Sequence, residues 1–189
     1  MSQFRQRAAT MIAIVGLAVA AQSAAAADIS KFMASEVEKL KQEWAANPVL
    51  IEAVLAQNAK HVPLTSIQDL DAKWQATPGL ADFMMPILDN PAAAELYKLE
   101  ANAGYVVESF VMDDQGALVA ATNKTSDYWQ GDEDKFTESY KGGNGAVHVS
   151  AVKFDASAQK HLAQVSLPIM KDGKAIGAIT LGVDVGAVR

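Results

Sequence analysis

The sequence contains no cysteine in its 189 residues. A chain without cysteine forms no disulfide, and it holds neither thiolate-bound zinc, nor an iron–sulfur cluster, nor covalently attached c-type haem. The three histidines, His61, His148 and His161, are scattered and match no metal-binding spacing. We therefore expect no metal and no other cofactor.

The chain also lacks an excess of basic residues. Its 16 Lys and Arg stand against 22 Asp and Glu. Two of the basic residues, Arg5 and Arg7, lie in the N-terminal segment discussed below, and without them 14 basic residues face 22 acidic ones, a formal charge of −8. Phosphate backbones and anionic lipid headgroups attract positive surfaces. We therefore expect no nucleic-acid partner and no binding to anionic membranes.

No set of residues with the spacing of a known catalytic motif is present. Ser126 stands beside Asp127, but no histidine is near them in sequence. A Gly-x-Ser-x-Gly elbow and a phosphate-binding glycine loop are both missing from the sequence. Since nucleophilic catalysis needs a nucleophile with an adjacent base, we predict that the protein is not an enzyme.

The N-terminal segment has the three regions of a secretory signal peptide. Residues 1–7 carry two arginines and no acid, residues 8–21 are apolar, and residues 23–27 are small, with an Ala-x-Ala site at Ala25–Ala27. The apolar run is shorter than the roughly 20 residues that span a bilayer, and an uncleaved anchor is the alternative. We predict cleavage before Asp28 and a periplasmic location. The remaining 162 residues, 28–189, then suit one soluble domain.

Residues 28–103 have helical periodicity. One apolar stripe consists of Ile29, Phe32, Met33, Val37, Leu40 and Trp44. Asn47-Pro48 and Asn90-Pro91 each combine a helix cap with a proline suited to the first helical position. Ser66 and Asp69 have the spacing of a capping box, and Gly104 is a helix end signal. The predicted helices cover 29–44, 48–60, 66–74, 80–88 and 92–102.

Residues 104–189 have strand periodicity. The predicted strands cover 105–112, 117–122, 147–154, 161–170 and 175–185. Turns are predicted at 113–116 and 171–174. The sequence therefore predicts an α+β fold, in which N-terminal helices pack on a five-stranded antiparallel sheet.

One connection, residues 123–145, is long and polar, with a short helix predicted over 132–140. Most connections have about 2–6 residues, and longer ones are often binding loops on a rigid scaffold. Residues 127–135 of this connection concentrate aromatic and charged side chains, namely Asp127, Tyr128, Trp129, Gln130, Asp132, Glu133 and Lys135.

Three segments carry a resemblance to a known family. They are the strand–turn–strand of residues 111–120, the loop segment Thr125-Ser126-Asp127-Tyr128-Trp129-Gln130-Gly131-Asp132-Glu133, and the closing strands of residues 165–169 and 176–184. Residues 105–185 thereby resemble the extracytoplasmic PDC (Cache-type, PAS-like) sensor domains of bacterial receptors. The resemblance implies a PAS-like sheet that carries a helical region and holds a small ligand.

Membrane receptors of this type continue into a transmembrane helix and an output module, whereas this sequence ends at Arg189. We therefore expect a free-standing periplasmic form that signals through a membrane receptor or kinase.

Six residues are candidates for ligand binding: Tyr105, Asp127, Tyr128, Trp129, Asp132 and Asp184. Tyr128 and Trp129 would line a pocket with their rings and offer O–H and N–H donors at its rim; the alternative is that they anchor the loop to the core. Asp127 and Asp132 would accept hydrogen bonds from a ligand ammonium or hydroxyl. For Asp132 and Glu133, capping of the helix start is the favoured alternative.

Asp184 closes an apolar strand, where the resemblance implies an acceptor for a ligand's amino group; exposure at the strand end is the alternative. Tyr105 faces either the pocket or the core. Lys124 and Lys135 are weaker candidates for binding a carboxylate. Because the loop has no arginine to bind a carboxylate bidentately, an amine or an amino acid is favoured as the ligand.

The leading hypothesis is a periplasmic small-molecule-binding sensor domain. The alternative is a structural or interaction module that keeps the sensor fold without a pocket. In that case Tyr128 and Trp129 would be core residues, and the N-terminal helix would form a homodimer surface with its stripe of Phe32, Val37, Leu40 and Trp44.

Overall fold

The computed structural model describes residues 23–155 and 159–188. The first 22 residues of the predicted signal peptide lie outside these ranges, while residues 23–27 form the start of the first helix. Cleavage before Asp28 stays a prediction. Within the described ranges, no helix combines the length and the apolar character needed to cross a membrane.

Within the described residues, six α-helices precede or interrupt the sheet. They are α1 (23–40, extended by a π-helical turn at Lys41–Ala45), α2 (Pro48–Asn58), α3 (Leu64–Ala76), α4 (Met85–Leu88, preceded by a 3₁₀ turn at Asp82–Met84), α5 (Pro91–Ala103) and α6 (Asp134–Tyr140). The Asn47 side chain accepts a hydrogen bond from the Val49 N–H at 3.0 Å, and the Asn90 side chain accepts one from the Ala93 N–H at 2.8 Å. Both predicted caps are therefore confirmed. Gly104 ends α5 with a left-handed φ of 71°, as predicted.

Two predicted helix starts are wrong. Pro63, in an extended conformation, precedes α3, and Ser66 lies inside its first turn, where its N–H donates to the Pro63 carbonyl at 2.9 Å. Ser66 and Asp69 therefore form no capping box. Helix α6 begins at Asp134, so Asp132 lies outside it, and Glu133 precedes it without a side-chain capping bond. Glu133 thus occupies the predicted N-cap position, but its side chain makes no capping hydrogen bond.

The sheet is antiparallel and has six strands in the part of the chain that the structure describes. They are β1 (Val106–Met112), β2 (Leu118–Ala121), β3 (His148–Val149), β4 (Lys153–Asp155), β5 (Lys160–Lys171) and β6 (Lys174–Asp184). Their spatial order is β2-β1-β6-β5-β3, and β4 also pairs with β5. The predicted α+β fold with a PAS-like sheet is confirmed.

The third predicted strand, 147–154, is split into β3 and β4. Ser150 stands at the break, where its hydroxyl accepts the Gln164 N–H at 2.9 Å. In a regular pair of strands a backbone carbonyl would accept this N–H, so the Ser150 hydroxyl replaces a backbone acceptor. Strand pairing with β5 resumes at Lys153. Local side-chain hydrogen bonds of this kind compete with secondary structure, which explains the sixth strand.

Helices cover both faces of the sheet. On the inner face, α1, α2 and α5 pack on alternate strand residues such as Val165, Leu181 and Val183. On the outer face, α3, the loop of residues 123–133 and α6 cover Phe110 and Met112 of β1. The alternation of side chains along each strand separates the two faces. Both faces of the sheet are therefore buried over much of their area.

The outer face changes character along the strands. At the end near Met112 the paired residues are apolar, with Met112 opposite Ala178. Four residues before Met112, on the same face, Glu108 of β1 lies opposite Gly182 of β6. Gly182 in turn lies opposite Gln164 of β5. The apolar end is covered by the outer-face cluster that α3, the loop and α6 form with Phe110 and Met112. The polar end lies near the start of α6.

Candidate ligand-binding site

The loop 123–133 is fixed to the rest of the domain. Asp71 of α3 accepts the backbone N–H groups of Tyr128 and Trp129 on one carboxylate oxygen, at 2.8 and 3.1 Å. The loop also pairs with the chain before β2, since the Gln130 N–H donates to the Gly116 carbonyl at 2.8 Å. A Cβ atom at Gly116 would lie 2.5 Å from the Gly131 Cα. The close approach therefore requires glycine.

Tyr128 is a core residue. Only 5% of it is exposed, and its ring lies 5.9 Å from that of Trp74. Burial, together with the nearby charge of Asp113, raises the pKa of Tyr128 to about 12, against the effect of a hydrogen bond with Gln57. The predicted role of its hydroxyl at a pocket rim does not fit this position.

Trp129 has its polar atom occupied as well. Its indole N–H donates to the Gln115 carbonyl at 2.7 Å, and the ring packs over Gly131. The indole N–H therefore already has a partner within the protein, while the half-buried ring borders a cavity, and the predicted ligand contact of Trp129 stays a prediction.

Two cavities flank the loop. The first, which we call the acidic cavity, has a volume of about 430 Å³ and lies between the loop and α3. Its lining consists of Gln68, Asp71, Gln75, Asp127, Trp129, Asp132 and Glu133. Three of the six predicted site residues, Asp127, Trp129 and Asp132, therefore lie together. Among the described residues, no group of three or more acids or histidines is placed to hold a metal ion.

The second cavity lies between the start of α6 and strands β3 to β5, and we call it the outer-face pocket. Its volume is about 510 Å³. Its lining consists of Asp132, Glu133, Asp134, Lys135, His148, Val149, Ser150, Ala151, Lys153 and Gln164. Charges of both signs thus surround a cavity within the size range of small-molecule sites.

Lys135 is the central cation of the outer-face pocket. Its side chain is 13% exposed, and its Nζ lies 2.9 Å from both a Glu133 carboxylate oxygen and the Gln130 amide oxygen. The same Nζ lies 5.6 Å from the centre of the Phe110 ring, which is within the range of a cation–π contact. Three partners therefore hold the ammonium of Lys135.

Glu108, which was not among the predicted site residues, lies in one cross-strand row with Gly182 and Gln164, and Gln164 lines this pocket. Burial raises the pKa of Glu108; Asp155 and Glu100 act in the same direction, while Lys135 acts against them. The sequence held one signal for it, since Glu108 is the single charged residue of the otherwise largely apolar β1. An acid at that position needs either exposure or a partner.

Tyr105 and Asp184 lie away from the loop's aromatic residues. The Tyr105 ring packs edge-on against Phe32 of α1 at 5.0 Å and lines a separate cavity beside that helix. The Asp184 N–H donates to the Tyr105 carbonyl at 2.8 Å, and its carboxylate pairs with Lys160 at 2.8 Å. The six predicted residues are therefore not gathered in one pocket, and their contacts with a ligand stay predictions.

The pKa of Asp184 reflects opposing effects. Burial acts to raise it, but the hydrogen bond from Lys160 and the backbone N–H of Gly186 outweigh burial, so the pKa of Asp184 lies below its usual value. Its carboxylate is therefore ionised and already partnered at neutral pH.

No protein-family model matches the chain, and no curated protein is significantly similar to it. Solved structures do show a likeness. The V. cholerae histidine kinase DctB sensor domain is 12% identical with a TM-score of 0.43, and the match covers 89% of this chain and 58% of that one. The ligand-binding domain of Campylobacter jejuni chemoreceptor Tlp3, in complex with 4-methylisoleucine, is 14% identical with a TM-score of 0.41, covering 83% and 62%.

A third likeness is to the ligand-binding domain of the Pseudomonas aeruginosa amino acid chemoreceptor PctC in complex with GABA, at 11% identity and a TM-score of 0.38, covering 72% and 57%. This chain thus spans about six-tenths of the length of these structures. All three are sensor or ligand-binding domains of a histidine kinase or of chemoreceptors. At these identities and TM-scores the likeness assigns neither a role nor a ligand to this chain.

Proposed function

We propose that the protein is a periplasmic sensor domain that binds a small molecule in the outer-face pocket. The observation that carries the proposal is the pocket itself, a polar cavity of about 510 Å³ on a sheet whose two faces are otherwise largely covered by helices. Binding pockets are usually largely formed before the ligand arrives. The proposal is one of binding without chemical conversion.

An amine or an amino acid is the favoured ligand. Three acids, Asp132, Glu133 and Asp134, surround the mouth of the pocket, against two lysines, Lys135 and Lys153. The Lys135 ammonium is already held by protein oxygens. Glu133 and Lys135 pair with each other, which leaves two acids, Asp132 and Asp134, against one lysine, Lys153, for a charged ligand.

Signalling would follow from a shift of α6 relative to the sheet. The pocket lies between these two elements, so a ligand that contacts both stabilises one arrangement of them. A ligand shifts such an equilibrium only by its differential affinity for the two states. In this proposal a membrane receptor or kinase reads the ligand-bound arrangement.

A thermal-shift screen of the purified protein against amines, amino acids and organic acids tests the proposal. A ligand at 100 times its dissociation constant adds about 2.7 kcal/mol to the free energy of unfolding. The variant Ala151→Trp would fill the pocket from an exposed lining position, and Ala56→Trp, at an exposed position of α2, is the matched control. Loss of the shift in the first variant alone supports the site. A shift that persists in Ala151→Trp would place the ligand elsewhere.

The alternative function, a dimerisation module, has one observation in its favour, the burial of Tyr128 in the core. Its proposed surface has a different use, however, because Phe32, Leu40 and Trp44 of the N-terminal helix are buried against the protein's own sheet. Sedimentation of the purified protein over a range of concentrations tests this alternative. A concentration-dependent dimer with no response in the ligand screen would favour it.

A further inference from the structure

We infer that Glu108 is the residue that recognises the ligand's charged group, and that the ligand carries a protonated amine. The inference rests on the proposed function, since it names the ligand class of the outer-face pocket. The sensor role itself does not depend on it.

The Glu108 side chain lies above Gly182 on the outer face of the sheet. Glu108, Gly182 and Gln164 form one row across β1, β6 and β5, with their side-chain positions on the outer face. A Cβ atom at Gly182 would lie 2.4 Å from the Glu108 Cγ and 2.9 Å from its Oε1. The Glu108 side chain therefore crosses over β6 toward β5.

Gln164 connects the position of Glu108 to the outer-face pocket. Gln164, the next residue of the row, lines the outer-face pocket. Neighbouring strands lie about 4.8 Å apart, so a carboxylate above Gly182 is about one strand spacing from the Gln164 backbone. Position 182 carries no side chain that would stand between the carboxylate and Gln164.

The negative charge of the Glu108 carboxylate has little compensation from the protein. The groups that act on Glu108 are Asp155 of β4, Glu100 of α5 and Lys135 of α6. Two of these three are acids, and the one cation shares its charge with Glu133. Among the described residues, no hydrogen bond contributes to stabilising the carboxylate form of Glu108.

A partly buried carboxylate with too little compensation is unfavourable unless a partner arrives. A ligand ammonium supplies both the positive charge and hydrogen-bond donors. A ligand carboxylate would instead meet Glu108 and the acids at the pocket mouth, so dicarboxylates are the wrong class.

Isothermal titration calorimetry with matched probes tests the inference. The probes are ethanolamine, putrescine and L-alanine, each paired with the analogue that carries hydroxyl in place of the amine: ethylene glycol, 1,4-butanediol and L-lactate. We expect at least one amine to bind, and its hydroxyl analogue to bind at least about tenfold weaker. The variant Glu108→Gln should weaken amine binding by at least about tenfold, since it removes the charge of a buried ion pair, while the exposed control Glu138→Gln should leave it unchanged.

The pH dependence gives a second readout. Because the carboxylate form of Glu108 is the one that binds the amine, affinity should rise with pH through the raised pKa of Glu108 and be flat in Glu108→Gln. Amine binding that survives Glu108→Gln, or equal binding of amine and hydroxyl analogues, would overturn the inference and leave the pocket intact as a site. Failure of all three amines would also overturn it. The wider screen with Ala151→Trp then decides the proposed function separately.

Discussion

Glu108 on β1 lies directly opposite Gly182 on β6, and the space above the glycine is filled by the glutamate side chain. The glycine is not needed for a special backbone conformation at this position, since it lies within a regular strand. Its importance is that it has no Cβ atom. A charged side chain can therefore lie flat across the sheet beside the outer-face pocket.

The variant Gly182→Ala tests this relationship. Its methyl group should displace the Glu108 side chain and lower the free energy of unfolding by about 1–3 kcal/mol, as overpacking does. In a Glu108→Ala background the cost should vanish, because the clashing atoms are gone. Urea unfolding of the four proteins of this double-mutant cycle measures the coupling. An equal cost in both backgrounds would show that the two side-chain positions are independent.

Substitutions of Tyr128 should separate its packing from its hydroxyl group. Truncation in Tyr128→Ala removes a buried ring that packs on Trp74, and we expect a loss of about 3–5 kcal/mol in the free energy of unfolding. In Tyr128→Phe only the bond to Gln57 is lost, at about 0.5–1.5 kcal/mol. Chemical denaturation measures both. A stable Tyr128→Ala variant that has lost only ligand binding would restore the pocket role of Tyr128.

Asp71 is expected to hold the loop in place. In Asp71→Ala the N–H groups of Tyr128 and Trp129 lose their acceptor, and an unsatisfied buried polar group costs about 1–3 kcal/mol. The isosteric variant Asp71→Asn keeps an acceptor oxygen and should lose less. Amide hydrogen exchange at residues 128 and 129 reports the effect directly. Unchanged protection of these two amides in Asp71→Ala would contradict the prediction.

Two glutamates of α5 should affect stability in opposite pH ranges. Burial raises the pKa of Glu100, against the effect of the Ser109 and Thr122 hydroxyls. Its stabilising contribution is therefore complete below the unfolded pKa of about 4.5 and is lost as the pH rises through the folded value. The variant Glu100→Gln should flatten the decline in stability between about pH 4.5 and neutral pH.

Glu95 on the same helix is the matched control. Hydrogen bonds from Lys98 and Asn47 lower the pKa of Glu95, so its contribution is present above the unfolded pKa and is lost as the pH falls through the folded value. The variant Glu95→Gln should change only the acid limb of the profile. Urea unfolding from about pH 3 to about pH 8 measures both variants. Parallel profiles for wild type and Glu100→Gln would contradict the assignment.

The elements predicted well from the sequence are those with local causes. Asn47 and Asn90 cap their helices through bonds that reach only two or three residues. The predicted turn at 171–174 forms with Asp172 and Gly173 at left-handed φ values of 50° and 79°, and both ends of β5 and of β6 lie within one residue of the predicted strands 161–170 and 175–185.

The errors came from interactions between distant segments. The break in the third strand depends on a bond between Ser150 and Gln164, across to β5. Trp129 could be read as a pocket residue because its partner, the Gln115 carbonyl, lies on another part of the chain. Asp71 had no distinguishing signal at all, since an acid on a helix surface is commonplace until a loop packs above it.

Three features follow from the sequence alone: the α+β class, the division into a helical and a sheet half, and the segment that carries the loop. These depend on periodicity and on short-range hydrogen bonds, which act between residues a few positions apart. Which polar groups remain available depends instead on the three-dimensional fold. Tyr128 and Trp129 are occupied by distant partners, while Glu108 is brought beside Gly182, Lys135 and the outer-face pocket. Strand register and burial bring about that selection, and both depend on segments far apart in the chain.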